Sequence, residues 1–119
     1  MKLPLLSFSL AATVMLVGCA GLSTSIRDTG TGASTHTVDL SWAPSTSADV
    51  SGYNVYRAVY TNSCGSFFKI NSVLIASTSY IDSEVTNGTS YCYATTAVNT
   101  SKEESGYSKI VSNVQIPAS

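Results

Sequence analysis

Short runs of apolar and β-branched residues alternate with turn-forming residues from His36 to the end of the chain. The clearest run is residues 38–42, in which apolar and polar side chains alternate strictly, so that Val38, Leu40 and Trp42 share one face. No window shows sustained helical periodicity. The pattern predicts an all-β sandwich or barrel. Further strands are expected over residues 53–60, 67–70, 79–82, 89–98 and 108–116.

The first residues of the chain follow a different pattern. Lys2 gives a positive start, and residues 3–17 are apolar apart from two serines and one threonine. This run is shorter than the roughly 20 apolar residues that a membrane-spanning helix needs. Its position and length are typical of the hydrophobic region of a signal peptide. The sequence therefore predicts that the chain is exported.

The end of this apolar run reads Leu16-Val17-Gly18-Cys19. It resembles the lipobox of bacterial lipoproteins, and the resemblance implies cleavage before Cys19, attachment of lipid to Cys19 and anchoring to a membrane of the bacterial cell envelope. A multi-chain anchor suits this interpretation, because one acyl chain alone holds a protein to a membrane only marginally. The alternative is an ordinary secretory signal cut near Ala20 or Gly21, which predicts a secreted protein.

The residues that follow Cys19 have the composition of a spacer. Residues 20–35 are rich in Gly, Ser and Thr and show no apolar periodicity. We therefore expect three segments in the chain. They are a lipoprotein signal peptide over 1–18, a flexible lipid-anchored linker over 19–35, and a folded domain over 36–117.

Composition narrows the classes of function. The chain has 119 residues, room for one domain. Charged residues make up 11% and the formal net charge is −1, so no basic surface recruits nucleic acid. His36 is the only histidine, and no cluster has the spacing of a metal site. We therefore expect no metal, no cofactor and no catalytic residue. The carboxylates interpreted as solvated turn or loop groups are Asp82, Glu84, Glu103 and Glu104.

Several motifs, in the right order, resemble a fibronectin type III domain. The resemblance covers residues 36–117 and implies an immunoglobulin-like sandwich in which strands A, B and E face strands C′, C, F and G. It makes Trp42 the central core aromatic and Tyr91 the tyrosine corner, whose hydroxyl bonds the backbone at the E–F crossing. The motifs are Leu40-Ser41-Trp42, Gly52-Tyr53-Asn54-Val55-Tyr56-Arg57, Gly88-Thr89-Ser90-Tyr91, Ala97-Val98-Asn99 and Glu104-Ser105-Gly106-Tyr107-Ser108.

The sequence departs from that family pattern in two places. Thr95 stands where the family usually has an aliphatic residue, so its hydroxyl needs a partner in the core. Strand A is not evident, and residues 22–26 are its only candidate.

The resemblance also implies a disulfide between Cys64 and Cys92. The three cysteines are an odd number for an oxidising compartment, and lipidation of Cys19 leaves these two as a pair. Strands C and F are antiparallel neighbours in this fold, so the end of C, near Cys64, lies beside the start of F, near Cys92. We expect the bond on the outer face of this strand pair and expect it to stabilise the domain by roughly 3–4 kcal/mol.

Outward aromatic side chains offer the feature most open to a functional interpretation. Tyr56, Tyr60, Phe67 and Tyr107 are expected on or near the C′-C-F-G sheet as possible ligand contacts. Our first hypothesis is a non-catalytic interaction or structural module tethered to the envelope, with an unidentified protein partner. The alternative is a carbohydrate or cell-wall binding module. A coplanar row of two or three rings is the feature that favours this alternative.

Overall fold

The computed structural model describes residues 16–28 and 35–118, and within them every regular element is a β-strand. Residues 1–15, most of the predicted signal peptide, lie outside the described residues. Two antiparallel sheets form, in the strand orders β1-β2-β5 and β4-β3-β6-β7, which confirms the predicted two-sheet sandwich. The strands are β1 Ala20–Asp28, β2 His36–Ala43, β3 Val50–Tyr60, β4 Phe68–Lys69, β5 Ser79–Asp82, β6 Ser90–Asn99 and β7 Val111–Gln115. In the described part of the chain no helix is long and apolar enough to cross a membrane.

Strand β1 corrects the predicted linker. Residues 20–28 pair antiparallel with β2, in a register that places Thr24 beside Leu40. Leu22, a residue of this strand, has a buried side chain. The serines and threonines that suggested a flexible spacer are compatible with the solvated face of an edge strand, and the backbone pairing needs no apolar run. The rest of the predicted linker, residues 29–34, lies outside the described residues.

The core confirms the alternation read in β2. Val38, Leu40 and Trp42 are 0%, 2% and 5% exposed. The Trp42 ring packs edge-on against Tyr53 of the facing sheet, with 5.6 Å between ring centroids. Tyr91 forms the predicted corner, because its hydroxyl accepts a hydrogen bond from the backbone N–H of Thr86 at 2.9 Å.

An ion pair between half-buried Arg57 and buried Asp82 joins the two sheets at the end of the sandwich away from Trp42. Asp82, the last residue of β5, is 3% exposed. Its carboxylate accepts two hydrogen bonds from Arg57 Nη1, at 3.0 and 2.9 Å, and one from the Tyr93 hydroxyl at 2.7 Å. The interpretation of Asp82 as a solvated turn carboxylate is therefore wrong. Its partners lie 25 and 11 residues away in the chain, so no local pattern could indicate them.

Candidate functional site

The disulfide between Cys64 and Cys92 is present, with 5.9 Å between the Cα atoms. Residues after β3 fold back on that strand, because the N–H of Gly65 donates to the carbonyl of Val59 at 2.9 Å. This brings Cys64 beside Cys92, which sits next to Ala58 in the β3–β6 ladder. Cys92 is on the outer face, opposite to that of its neighbours Tyr91 and Tyr93, yet it is fully buried, since the folded-back segment covers it.

Further along the same sheet lies an open depression of about 320 Å³, which we call the outer-face notch. Its floor comes from β3 and β6, where Asn54 pairs with Thr96 in the ladder. Its wall is the chain between β6 and β7, which is held on β6 because the N–H of Ser105 donates to the carbonyl of Ala97 at 2.8 Å. The lining residues are Tyr56, Thr96, Glu104, Ser105, Gly106 and Tyr107.

Glu104 is the charged group of the notch. One of its oxygens, Oε2, accepts hydrogen bonds from Asn54 Nδ2 at 3.2 Å, from the Tyr56 hydroxyl at 2.5 Å and from Thr96 Oγ1 at 2.5 Å. Burial alone would raise the pKa of the carboxyl, but these bonds and the charge of Lys69 outweigh it and lower that pKa below its usual value. Glu104 is therefore ionised at neutral pH, and it is not the free loop carboxylate that the sequence suggested.

The pKa of Tyr56 is shifted in the opposite direction to that of Glu104. Burial, followed by the hydrogen bond to Glu104, raises the pKa of its phenol to about 12. The hydroxyl therefore remains a donor to the carboxylate throughout the physiological range.

The loop that carries Glu104 is fixed by its own hydrogen bonds. Asn99 Oδ1 accepts from the backbone N–H groups of Ser101 and Glu103, each at 2.9 Å. Asn99 Nδ2 donates to Glu103 Oε1 at 2.8 Å. The turn passes through Lys102, whose φ of 66° lies in the left-handed region. The position of Glu104 is thus set before any ligand arrives.

Two of the four predicted aromatic contacts, Tyr56 and Tyr107, line the notch, and a third, Phe67, packs against Tyr107. The Tyr107 ring, in a residue that is 49% exposed, lies 5.2 Å from the Tyr56 ring at 63° and 5.1 Å from the Phe67 ring at 45°. The rings build a corner, not a coplanar row. Tyr60 lies four positions beyond Tyr56 on β3 and does not line the notch.

The predicted lipidation residue, Cys19, lies inside the domain. It is 5% exposed, and its sulfur is 2.6 Å from Thr95 Oγ1. This contact supplies the partner that the Thr95 hydroxyl needs, and burial raises the pKa of the Cys19 thiol. The two departures from the family pattern are the hydroxyl of Thr95 and the weak signal for strand A. They meet at this contact, because Cys19 directly precedes β1.

No group of three or more His, Cys, Asp or Glu side chains in residues 16–28 and 35–118 has the geometry of a metal site. His36 is buried at the start of β2, in the sheet opposite the notch. The sequence predicts Tyr56 on this face but does not indicate Glu104 or its other donors, Asn54 and Thr96. The β3–β6 register and the fold of the β6–β7 connection bring these groups together, and they have no sequence signature of their own.

Comparison with known proteins supports the fold. No protein-family model matches the chain. The amylopullulanase of Thermoanaerobacterium thermosulfurigenes is 42% identical over 71 residues, which are 60% of this chain and 4% of that enzyme, so the chain spans a small fraction of the relative's length. A solved Fn3-like protein from Clostridium thermocellum superposes with a TM-score of 0.65 and 28% identity, covering 86% of this chain and 94% of that one. A titin module from human cardiac muscle superposes with a TM-score of 0.60 at 21% identity, over 84% of this chain and 88% of the module.

Proposed function

Because the described residues fold as a fibronectin type III domain, we propose that the chain is a non-catalytic accessory module, held at the bacterial cell envelope by lipid on Cys19, that binds a partner through the outer-face notch. The match to a segment of an amylopullulanase supports an accessory role outside the cytoplasm. The disulfide also suits an oxidising compartment.

The observation that carries the binding role is the negative charge of Glu104 within an aromatic corner. The three donors to Oε2 are neutral, and Lys69 acts on the carboxylate through its charge without forming an ion pair with it. The ion pairs of the described residues join Arg27 to Asp39 and Arg57 to Asp82, and neither involves Glu104.

The chemistry of the notch favours a cationic group. A Lys or Arg side chain placed against Tyr107 gains cation–π attraction from the ring and charge attraction from Glu104. The angled rings suit a compact cation better than they suit the flat face of a sugar. We therefore propose a protein partner that presents a basic side chain.

Titration with a short Lys-rich peptide, followed by NMR of the amide groups, tests this function. We expect shifts at residues 104–107, and a roughly tenfold loss of affinity in Glu104→Gln, the order of one charge-assisted contact. Glu84→Gln makes the same charge change on an exposed turn outside the notch and serves as the matched control. Equal affinity in both variants, or no shifts in the wild type, would exclude the notch as a cation site.

Acid pH gives a second readout of the same site. The pKa of Glu104 is lowered, so the carboxylate is neutralised at a lower pH than an ordinary glutamate. Peptide binding should therefore be constant from neutral pH down to about 5 and weaken only under stronger acid. Loss of binding between about pH 7 and 6 would show that another group controls it.

A carbohydrate partner is the second candidate, and the match to an amylopullulanase is the observation that favours it. Titration with malto-oligosaccharides in the same NMR experiment separates the two. Saturable shifts that Tyr107→Ala abolishes and Glu104→Gln leaves intact would support the sugar and overturn the basic peptide.

The tether is tested by membrane fractionation. Once the signal peptide is removed, lipid on Cys19 is the hydrophobic hold we propose, so Cys19→Ser should move the protein from the membrane to the soluble fraction. Retention of the variant on membranes after a carbonate wash would contradict lipid anchoring through this residue. A wild type found only in the soluble fraction would support the secreted alternative.

A further inference from the structure

A second charged side chain, that of Lys69, lies beside the outer-face notch. Lys69 is directly opposite Tyr56 in the β3–β4 ladder, and side chains that are opposite each other in a ladder share one face of the sheet. Tyr56 lines the notch and donates its hydroxyl to Glu104. The exposed side chain of Lys69 therefore runs along the same face as the notch.

The charges of Lys69 and Glu104 interact without forming an ion pair. Burial raises the pKa of the Glu104 carboxyl, but its hydrogen bonds and then the charge of Lys69 lower it below its usual value. The ion pairs of the described residues include neither side chain. Neighbouring strands are about 4.8 Å apart, so the two charges lie within roughly two strand spacings of each other. The notch thus has a positive side at β4 and a negative side at the β6–β7 connection.

Neutral donors hold the Glu104 carboxylate over β3 and β6. Its Oε2 atom accepts hydrogen bonds from Asn54, Tyr56 and Thr96, which leaves this oxygen little capacity for an ammonium group. None of these bonds uses the other oxygen, Oε1, which remains available to a ligand. The separation of the two charges is therefore built into the fold.

A partner with basic side chains alone fits this pair of charges poorly. A cationic side chain is attracted by Glu104 but repelled by Lys69, and the juxtaposition of like charges disfavours a partner. An acidic side chain beside the cationic one gains attraction from Lys69 instead. Residues two apart in an extended chain share a face and lie about 7 Å from each other, which matches the separation of the two charges in the notch.

We propose that the notch recognises an extended protein segment in which a basic and an acidic side chain stand two residues apart, the basic group at Glu104 and the acidic group at Lys69. The inference rests on the binding role proposed above and adds the charge pattern of the partner. Lys69 acts as a specificity residue, because it favours one class of basic segment over the others.

Three peptides of equal length with blocked termini test this selection. The first carries Lys and Glu two residues apart, the second has Gln in place of Glu, and the third has a second Lys there. NMR titration of the wild-type protein should show the tightest binding for the Lys/Glu peptide and the weakest for the Lys/Lys peptide. We expect each step to be about threefold, the order of one exposed charge contact.

Substitution of Lys69 should remove this preference. Lys69→Met is expected to weaken binding of the Lys/Glu peptide and to strengthen binding of the other two, because attraction is lost in the first case and repulsion in the others. Lys109→Met removes the same charge from an exposed residue that does not line the notch and serves as the matched control. A preference that persists in Lys69→Met, or that Lys109→Met abolishes equally, would overturn the role of Lys69.

The same titrations separate this inference from the proposed function. Equal affinity of the wild type for all three peptides, or tightest binding of the Lys/Lys peptide, would overturn the charge pattern. If Glu104→Gln still weakened that binding, the cation site itself would stand. Absence of shifts at residues 104–107 with every peptide would overturn both.

Discussion

The two ends of the sandwich interior are closed by different chemistry. At one end Trp42 and Tyr53 pack ring against ring, and Leu16, Cys19 and Leu22 belong to or pack against the same apolar cluster. At the other end Arg57 and Asp82 form a buried ion pair between the sheets, and the disulfide lies next to it on β6. We refer to these as the apolar end and the ionic end.

The two ends differ in the side-chain substitutions that they tolerate. Apolar packing is non-directional, so the apolar end can take other side chains of similar volume at modest cost. The ionic end requires both Arg57 and Asp82, because removing either one leaves the charge of the other without a partner. The guanidinium of Arg57 also lies 5.1 Å from the Tyr91 ring centroid, which couples the ion pair to the tyrosine corner.

The largest effect is expected at the apolar end. Trp42→Ala should lower the free energy of unfolding by roughly 3–5 kcal/mol, the usual cost of emptying a large buried aromatic site. Urea denaturation measures this, with Trp42→Phe as a control that retains most of the packing. A loss below about 1 kcal/mol would mean that Trp42 does not hold this end together.

At the ionic end, a single substitution and a combined one should differ. Asp82→Asn should cost about 3 kcal/mol, because it leaves the Arg57 charge without its carboxylate. Replacing Arg57 by Met, Asp82 by Leu and Tyr93 by Phe together should recover most of that loss, because no charge is then left without a partner. The backbone N–H of Glu84 also loses its bond to Asp82 Oδ1, but it lies on an exposed turn where water can replace that acceptor. If the combined variant is as unstable as the single one, the ionic end is not the self-contained unit described here.

The disulfide should contribute about 3 kcal/mol to the ionic end. Reduction, or Cys92→Ala, is therefore expected to lower the melting temperature by more than about ten degrees in a domain of this size. Scanning calorimetry with and without reductant measures the change. The doubly substituted Cys64→Ala/Cys92→Ala protein is the control, and a reductant effect in that variant would assign the stabilisation to something other than this bond.

The smallest effect concerns the contact between Cys19 and Thr95. Thr95→Val should change the free energy of unfolding by no more than about 1 kcal/mol, because a buried thiol is comfortable among apolar groups once the hydroxyl has gone. A double-mutant cycle with Cys19→Ala measures the pair. A loss above about 2 kcal/mol in Thr95→Val alone would mean that this contact resembles the ionic end, where removing one polar partner destabilises the other.

The parts of the fold that the sequence predicted are those with a short-range signal. Alternation in residues 38–42 predicts the buried face of β2, and the motif ending at Tyr91 predicts the corner at the E–F crossing. The pairing of Cys64 with Cys92 follows from the order of strands C and F. Each of these rests on a local period or on a topology shared by the whole fold.

What the sequence did not predict depends on partners far apart in the chain. Strand β1 looked like a linker because an edge strand can be held by backbone pairing with few apolar side chains. Asp82 was expected to be solvated but is buried, because its donors come from other strands. Glu104 is exposed, as expected, but its hydrogen bonds to Asn54, Tyr56 and Thr96 have no signal in the sequence. The type of a residue predicts only the surroundings that this type has on average. The actual partners of these residues are set by the register of the strands, which is known only from the three-dimensional structure.

The strand order has a mechanical consequence for the lipid anchor that we propose at Cys19. Cys19 lies at the apolar end, beside the pairing of Ala20 with Ala43, while Ile116 follows Gln115, which pairs with Ser90 at the ionic end. Tension between an anchor at Cys19 and a load at Ile116 therefore runs parallel to the strands. Ladder hydrogen bonds lie perpendicular to that direction, so the bonds from Ser23 to Asp28 resist together in shear and do not open one after another like a zipper.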